Sequence, residues 1–562
     1  MLEGGTIVNT RINSKFWDHL SLAWRSESLP FVSDYRKEDF IENITLSDEQ
    51  FKIVMQNDEH MLINGSAGSG KSITLISKMI KTLNEEQEPQ RVLYVSFGRT
   101  LVQDAKKRLN QSLLYKKSIK DHEVHINTFH YTISKLLNEI GITNIKNLSS
   151  NPEQIKNVEE KITARIHVIK LNAENEEAFI QLPKLFKTHT ATFLKDEFLW
   201  MKANGYIDKE KYLECERNGR GNTPRLNAEQ RETVFHLFNK YQESIKEKFH
   251  DDCDYEDHAL YAIKYIEDIK KAGLGYDHVY ADEIQDLQPM QLRALSLLAK
   301  KTLILSGDNR QRIYKRSPHS FKSLEIYIEG RRNQILRENY RSTKQIMQLA
   351  NSLKFSDESV KEDRDKFIRE YKKPEIIRGK KAEDMTKLII RRIKNIFAED
   401  AGSSIAVIHR YDDDGYELKN SSIKAMLERE FSLITTEQYG VKFDYNKSRK
   451  PVFFTDSFSV KGLEFDYVFV IHFDCFHYPH ENEIKKLEES AGIAKKLKST
   501  SYTKDLSDVL NNEKKVLYVA MTRAKQQLFL LFHHSKQEAI SSFVKEFNLK
   551  DYEAIGFAKT KI

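Results

Sequence analysis

The sequence predicts an α/β protein built from two parallel-sheet domains, the first carrying a mostly helical insertion. Three observations lead there. Short apolar runs of strand type are separated by helical or polar stretches, the pattern of parallel strands joined by crossovers. The runs are too numerous for one such sheet with a single nucleotide site, so two stacked-core domains are the economical solution. The stretch "INGSAGSGKS", residues 63–72, sets a glycine-rich loop between a strand and a helix.

The loop comes first in the chain. "HMLIN" is a short apolar run, and Ile76, Met79, Ile80 and Leu83 follow at helical spacing. Between them, Gly65, Gly70, Lys71 and Ser72 satisfy G-x-x-x-x-G-K-[ST], with Ser66, Ala67, Gly68 and Ser69 as the variable positions. In such a loop backbone N–H groups converge on phosphate, and the helix N-terminus adds favourable potential. Lys71 is expected to reach the β- and γ-phosphates of ATP, and Ser72 to ligate Mg²⁺. The next strands are "VLYVSF" and "VHINTF". Then comes "DHVYADEIQD", where Val279, Tyr280 and Ala281 end a strand with Asp282 and Glu283 at its tip. Asp282 is the expected metal-side carboxylate and Glu283 the base that orients water. An acidic pair after a strand can instead cap a helix, but beside a phosphate loop that alternative recedes. "TLILSGD", "SIAVIHR", "VFFTDSF", "DYVFVIHF" and "QLFLLF" complete the strands.

Composition narrows the class. At 562 residues the chain suits roughly three to four domains, and with 40% hydrophobic and 31% charged residues it can form cores under a highly charged surface. No window approaches the ~18 consecutive apolar residues of a membrane span, and the N-terminus lacks a secretory pattern. Cys215, Cys253 and Cys475 match neither a disulfide framework nor metal-ligand spacing. The expectation is a soluble, cytoplasmic protein with no membrane partner. A net charge of +7 permits phosphate contacts without demanding them.

An ordered series of segments resembles the UvrD/Rep-type helicases of superfamily 1. "LSDEQ" resembles that family's adenine-reading segment, with Gln50 as the reader. "VSFGRTLVQDAKKRL" and "INTFHYTISKLL" resemble its two segments that touch single-stranded DNA. "DEIQD" matches D-E-x-Q-D, "GDNRQRIY" resembles G-D-x-x-Q-x-I-Y, and "LRENYRST" resembles N-Y-R-S. "SVKGLEFDYVFV" resembles S-x-K-G-L-E-F, and "LYVAMTRAKQQL" resembles Y-V-A-x-T-R-A. The resemblance implies two RecA-like motor domains closing on ATP. Arg341 and Arg523 would be arginine fingers on the developing γ-phosphate charge. By the same resemblance Gln311 would sense the γ-phosphate, Tyr340 would stack on adenine, and Glu464 would face the nucleotide. Phe97 and Tyr314 fall where the family stacks bases, and Thr128, Phe129 and His130 on a strand-contacting turn.

The implied layout is an extension at 1–45, a first motor domain at 46–145 and 263–325, the insertion at 146–262, and a second motor domain at 326–562. The sequence departs from the family in places. Arg316 stands where a tryptophan is usual, and Asp456 and Phe458 replace a threonine and a histidine. Residues 344–455 leave no room for the large insertion that relatives carry in the second motor domain, so a compact form is expected. Residues 524–562 are too few for an appended nuclease domain. Residues 478–506 read as an exposed loop carrying a short helix. Asp254, Glu256 and Asp257 could hold a metal, but a helix-capping acidic turn is the simpler reading.

The expected function is ATP-driven translocation on single-stranded or tailed DNA, with unwinding in the 3′→5′ direction that the resemblance implies. The alternative is a DNA-stimulated ATPase serving as a sensing subunit, for example beside a nuclease or a repair or defence factor. A small-molecule kinase would leave "NYRST", "KGLEF" and "MTRAK" without roles. No base-reading element separates DNA from RNA.

Overall fold

The strand ahead of the glycine loop nucleates a parallel sheet because its residues are apolar on both faces. Parallel sheets covered by helices on both sides require this. In β1 (His60–Gly65), Met61 and Ile63 join one helix-covered core while Leu62 joins the other, as a period of two dictates. The computed structural model describes residues 35–142, 152–217, 225–248, 254–308, 320–355, 366–367, 369–411, 416–435, 451–460, 462–491 and 500–557. The further strands of the first sheet are β2 (Arg91–Ser96), β3 (Glu123–Thr128), β4 (Tyr276–Ala281), β5 (Ala299–Gly307) and β6 (Asn333–Leu336). Their order is β3-β2-β4-β5-β1-β6, parallel throughout. The carboxyl ends of β4, β5 and β1 therefore lie side by side, where parallel sheets hold ligands.

A short pair, β7 (Glu338–Asn339) and β8 (Lys366–Phe367), follows. The second sheet contains β9 (Glu375–Gly379), β10 (Ile405–His409), β11 (Ser432–Ile434), β12 (Pro451–Asp456), β13 (Phe465–Val470), β14 (Ala524–His533) and β15 (Glu553–Ile555). Its order is β11-β12-β10-β13-β14-β9-β15, again all parallel. Leu528 and Leu530 face one core and Phe529 and Leu531 the other. The two-sheet α/β class read from the sequence is the class observed.

Between β3 and β4 the chain makes helices at Pro152–Ala173, Ala191–Ala203 and Ala228–Lys248, with shorter ones between. Their packing has its own core of Phe193, Phe198, Met201, Val234, Phe238 and Tyr241. The acidic turn at residues 254–257 is paired with a lysine. Asp254 Oδ1 accepts the backbone N–H groups of Glu256 (3.1 Å) and Asp257 (3.3 Å), which is a cap. The Lys202 ammonium lies 2.6 Å from Asp254 and 2.8 Å from Asp257. Among the described residues no group of three or more His, Cys, Asp or Glu side chains is placed to hold a metal.

Three readings of the layout change. Phe40, Ile41 and Leu46 are buried in a core of the first sheet, so residues just before 46 belong to that domain and not to a separate extension; "FWDHLSLAW" lies outside the described residues. β6 follows residue 325 yet pairs with β1, because its edge completes the sheet beside the loop strand. Residues 478–506 are not mainly an exposed loop. Tyr478 is fully buried, a helix spans Glu481–Ala491, and another begins at Thr500 and runs to Met521. Sparse anchors such as Leu487 suffice there, because these helices lie on a core already formed. The described residues from 375 to 456 are taken up by the second sheet and its covering helices, with no further folded insertion among them. No described helix is long and apolar enough to cross a membrane.

Candidate active site

The loop after β1 turns on two glycines with left-handed backbone, Gly68 (φ 88°) and Gly70 (φ 82°). Space also excludes side chains there. A Cβ on Gly68 would meet Asn339 Oδ1 at 2.7 Å, and one on Gly70 would collide with the Gln50 amide. The Ser66 and Ser69 hydroxyls are buried without a hydrogen-bond partner among the described residues, polar atoms that a phosphate could engage. The buried Lys71 ammonium donates to the Gly65 (2.9 Å) and Ser66 (3.0 Å) carbonyls. The helix Lys71–Glu85 starts here with no side-chain cap, leaving its first N–H groups for an anion. Lys71→Ala is expected to weaken ATP binding about 10- to 100-fold, the worth of one charged hydrogen-bonding group. Titration of a fluorescent ATP analogue checks it, and unchanged affinity would remove Lys71 from the site.

Gln50 overlooks the loop. Its Nε2 donates to the Ser69 carbonyl (3.2 Å), while its Oε1 accepts the Ser47 N–H (2.9 Å) in a capping box. At the end of β4, Asp282 receives hydrogen bonds from the Ser72 hydroxyl and from Tyr94 Oη (2.8 Å). Burial, and then the Glu283 carboxylate, push the Asp282 carboxyl upward. A buried carboxylate touching the loop serine suits a divalent cation, whose charge would offset that cost. Glu283 adopts a left-handed backbone (φ 53°, ψ 45°), a conformation uncommon for a non-glycine residue.

The far wall comes from β7 and the second sheet. Asn339 Nδ2 donates to the Ala67 carbonyl (2.7 Å), and its Oδ1 accepts the N–H groups of Arg341 and Ser342 (both 3.1 Å). The Tyr340 N–H donates to Gly68 O (3.0 Å) and its hydroxyl bonds Glu338. Arg341 and Glu464 form an ion pair. The Arg523 guanidinium is fully buried; its Nε donates to Val519 O (3.0 Å). Burial, and then Arg341, lower its pKa to about 10, with Glu283, Glu464 and Asp308 acting in the opposite sense. Arg523 thus feels carboxylates of both sheets and stays charged at neutral pH. Every described candidate for the nucleotide site lies on one of these walls. Gln311 lies outside the described residues. Asn339 and Tyr94 were missed: Asn339 sits inside the "NYRST" segment already singled out, and a buried tyrosine hydroxyl on a strand needs a partner.

The strand-facing candidates separate. Phe97, at the end of β2, is 44% exposed, as a stacking platform must be. Phe129 is 2% exposed and belongs to a core of the first sheet, so at the turn expected to touch the strand its ring is not available; burial of that ring anchors the helix Phe129–Glu139. Two residues on, Tyr131 is 44% exposed. Thr128 ends β3 and leads into that helix. The His130 ring packs 5.1 Å from His258, and burial lowers its pKa to about 3, so it is neutral. Tyr314 and Arg316 lie outside the described residues. Asp456, which would repel a phosphate if free, accepts the N–H groups of Phe458 (2.7 Å) and Ser459 (2.9 Å) through Oδ1. Phe458 is 47% exposed, with the Arg410 guanidinium 4.7 Å from its ring centre.

Residues 46–318 match the UvrD/REP helicase N-terminal domain, and residues 335–443 and 444–535 match the UvrD-like helicase C-terminal domain. The chain is similar to a probable DNA helicase II homolog of Mycoplasma capricolum, 25% identical over 319 residues, covering 55% of this chain and 40% of the relative. It is also similar to a putative ATP-dependent DNA helicase, YjcD, of Bacillus subtilis, 24% identical over 412 residues (69% and 49% covered). A third relative is the ATP-dependent DNA helicase PcrA of Leuconostoc citreum, 22% identical over 405 residues (68% and 50%). The chain spans half or less of the length of these curated relatives.

Proposed function

The chain belongs to the UvrD/Rep helicase family, and from that membership we propose that it is an ATP-driven translocase on single-stranded DNA, moving 3′→5′ and opening tailed duplexes. One observation carries the reading. The buried Arg523 of the second motor domain lies in the field of Glu283 and Asp308 of the first, so a fixed positive charge of one sheet stands beside carboxylates of the other. In this reading Lys71 holds the phosphates, Glu283 orients the attacking water, and Arg341 and Arg523 meet the charge that develops on the transferred group. Gln50 and Tyr340 take the adenine. Ser72 and Asp282 would hold Mg²⁺, which when bound neutralises phosphate charge. Tyr340 and Asn339 grip the loop backbone, so a change in the loop is felt by the second domain directly.

The second reading, a DNA-stimulated ATPase acting beside a protein partner, draws support from the compact second motor domain. Steady-state ATP hydrolysis with and without single-stranded DNA tests the first step. Strong stimulation is expected, and Phe97→Ala should weaken strand affinity about 5- to 100-fold, the worth of one stacked base. Stimulated hydrolysis without unwinding of a tailed duplex would favour the second reading. An ATP-binding chain indifferent to DNA would sink the first.

A further inference from the structure

Strands β10 and β12 of the second sheet pair in parallel, so the turns that follow them leave at one edge, the carboxyl edge where parallel sheets hold ligands. Arg410 follows β10 and Phe458 follows β12. Single exposed apolar side chains are ordinary; what sets the 47% exposed Phe458 apart is how firmly it is held. Its N–H donates to Asp456 Oδ1 (2.7 Å), which also takes the Ser459 N–H (2.9 Å), so the turn is fixed from within. The Arg410 guanidinium covers one face of the ring, 4.7 Å from its centre. Arg410 is itself buried, and its Nη2 donates to both oxygens of the buried Glu513 carboxylate (2.7 and 2.9 Å). Glu513 in turn accepts the His480 N–H (2.8 Å). An ion pair thus anchors a cation, the cation backs a ring, and the other ring face is left to solvent.

This turn is poorly equipped to grip a phosphate. Asp456 is acidic and occupied by backbone N–H groups, and a phenyl ring donates no hydrogen bond. Arg410 Nε and Nη1 have no partner among the described residues, but both are buried and out of a phosphate's reach. A flat face is what the turn offers, and a ring already fixed loses little freedom when a second ring lies on it. The same turn leads to the first motor domain. A Cβ on Gly462, four residues beyond Phe458, would meet Leu101 Cδ2 at 3.0 Å. Leu101 lies on the helix Arg99–Asn110, which begins two residues after Phe97. Two exposed phenylalanines, Phe97 after β2 and Phe458 after β12, therefore stand on segments that touch across the domain boundary.

We propose that Phe458 is a second stacking platform, contributed by the other motor domain, on which a base of the bound single strand lies while Arg410 supports the ring from behind. The inference rests on the single-strand reading given above. It gives this chain a base contact where threonine and histidine, the residues usual in the family in place of Asp456 and Phe458, would offer polar groups.

The test uses the full chain with F458A, which removes the ring, and F458L, which keeps apolar contact with Arg410 but offers no flat face. Anisotropy of labelled oligothymidylate, and of an abasic oligomer of equal length, is followed over a range of salt concentrations beside thermal unfolding. Both variants are expected to lose about 5- to 100-fold in affinity for oligothymidylate, with abasic binding within about twofold of the unaltered protein. The slope of log affinity against log salt should hold, because no phosphate contact is lost, and F458W should restore binding. Should F458A unfold, F458L carries the same comparison. A slope smaller by about 0.7, the worth of one single-strand phosphate, with equal losses on both oligomers would reveal a backbone contact and overturn the inference. Unchanged affinity in the folded variants overturns it too, while weakened binding in F97A leaves the underlying reading standing. An unaltered protein that binds neither oligomer overturns both.

Discussion

Glu283→Gln is expected to bind ATP as the unaltered protein does and to hydrolyse it about 100- to 10,000-fold more slowly, the range for loss of a positioned base. The substitution keeps size and shape, so the left-handed turn at 283 and the contact with Gln285 can persist through the new amide oxygen. Asp282 keeps its partners Ser72 and Tyr94, and Lys71 stays on its loop carbonyls. What disappears is the negative charge that can orient and accept a proton from water. Phosphate release at saturating ATP with single-stranded DNA, paired with analogue titration, separates the two effects. Unchanged turnover would reassign the base; lost binding would move Glu283 into the nucleotide pocket.

The second large effect is on stability. Lys202→Met is expected to destabilise the insertion by about 3–5 kcal/mol, because removing one partner of a buried ion pair leaves uncompensated charge. Lys202 and Asp254 have fully buried side chains, and Asp254 also accepts from Tyr241 Oη (3.0 Å). Asp257 and Glu256 lie in the same buried turn. Urea unfolding followed through the fluorescence of Trp200, on the same helix as Lys202, measures the change; a shift under about 1 kcal/mol, the scale of a surface pair, would sink the argument.

The turn also makes stability depend on pH. Burial, and then Asp254 and Asp257, push the Glu256 carboxyl from 4.5 up to about 8. A raised acid binds its proton more tightly folded than unfolded, so its contribution is full below pH 4.5 and is lost as pH rises to about 8. Glu256→Gln should remove that loss, giving a gain on the order of 2 kcal/mol at pH 8.5 and little change at pH 5. Equal urea midpoints for the two proteins at pH 8.5 would refute it.

Much of the candidate nucleotide site was legible because phosphate chemistry is local. A strand, a glycine loop and a helix start must be consecutive, so Gly65 to Ser72 can be read in a row. The acidic pair at the end of β4 was legible for the same reason, since an apolar run that stops at two carboxylates marks a sheet edge. The parallel α/β class followed from strands apolar on both faces. Strand-facing aromatics were a different case. Phe97 and Phe129 each follow a strand of the same sheet, yet one ring is exposed and the other buried. Nothing in the neighbouring letters separates them, because the choice belongs to the helices that pack over each strand end. Asn339 could be placed in its segment but not across the cleft on Ala67. Likewise β6 joined the first sheet because an edge beside β1 was available. The sequence by itself determined the two-sheet class and the family, and pointed to the glycine-rich loop and the acidic pair after β4 as candidates, all carried by contiguous residues whose chemistry needs that spacing. Only the tertiary structure decided which aromatic rings meet solvent, that Lys202 fills the acidic turn, and that Arg410 backs the Phe458 ring, because burial and pairing across distant segments depend on what the rest of the chain packs against them.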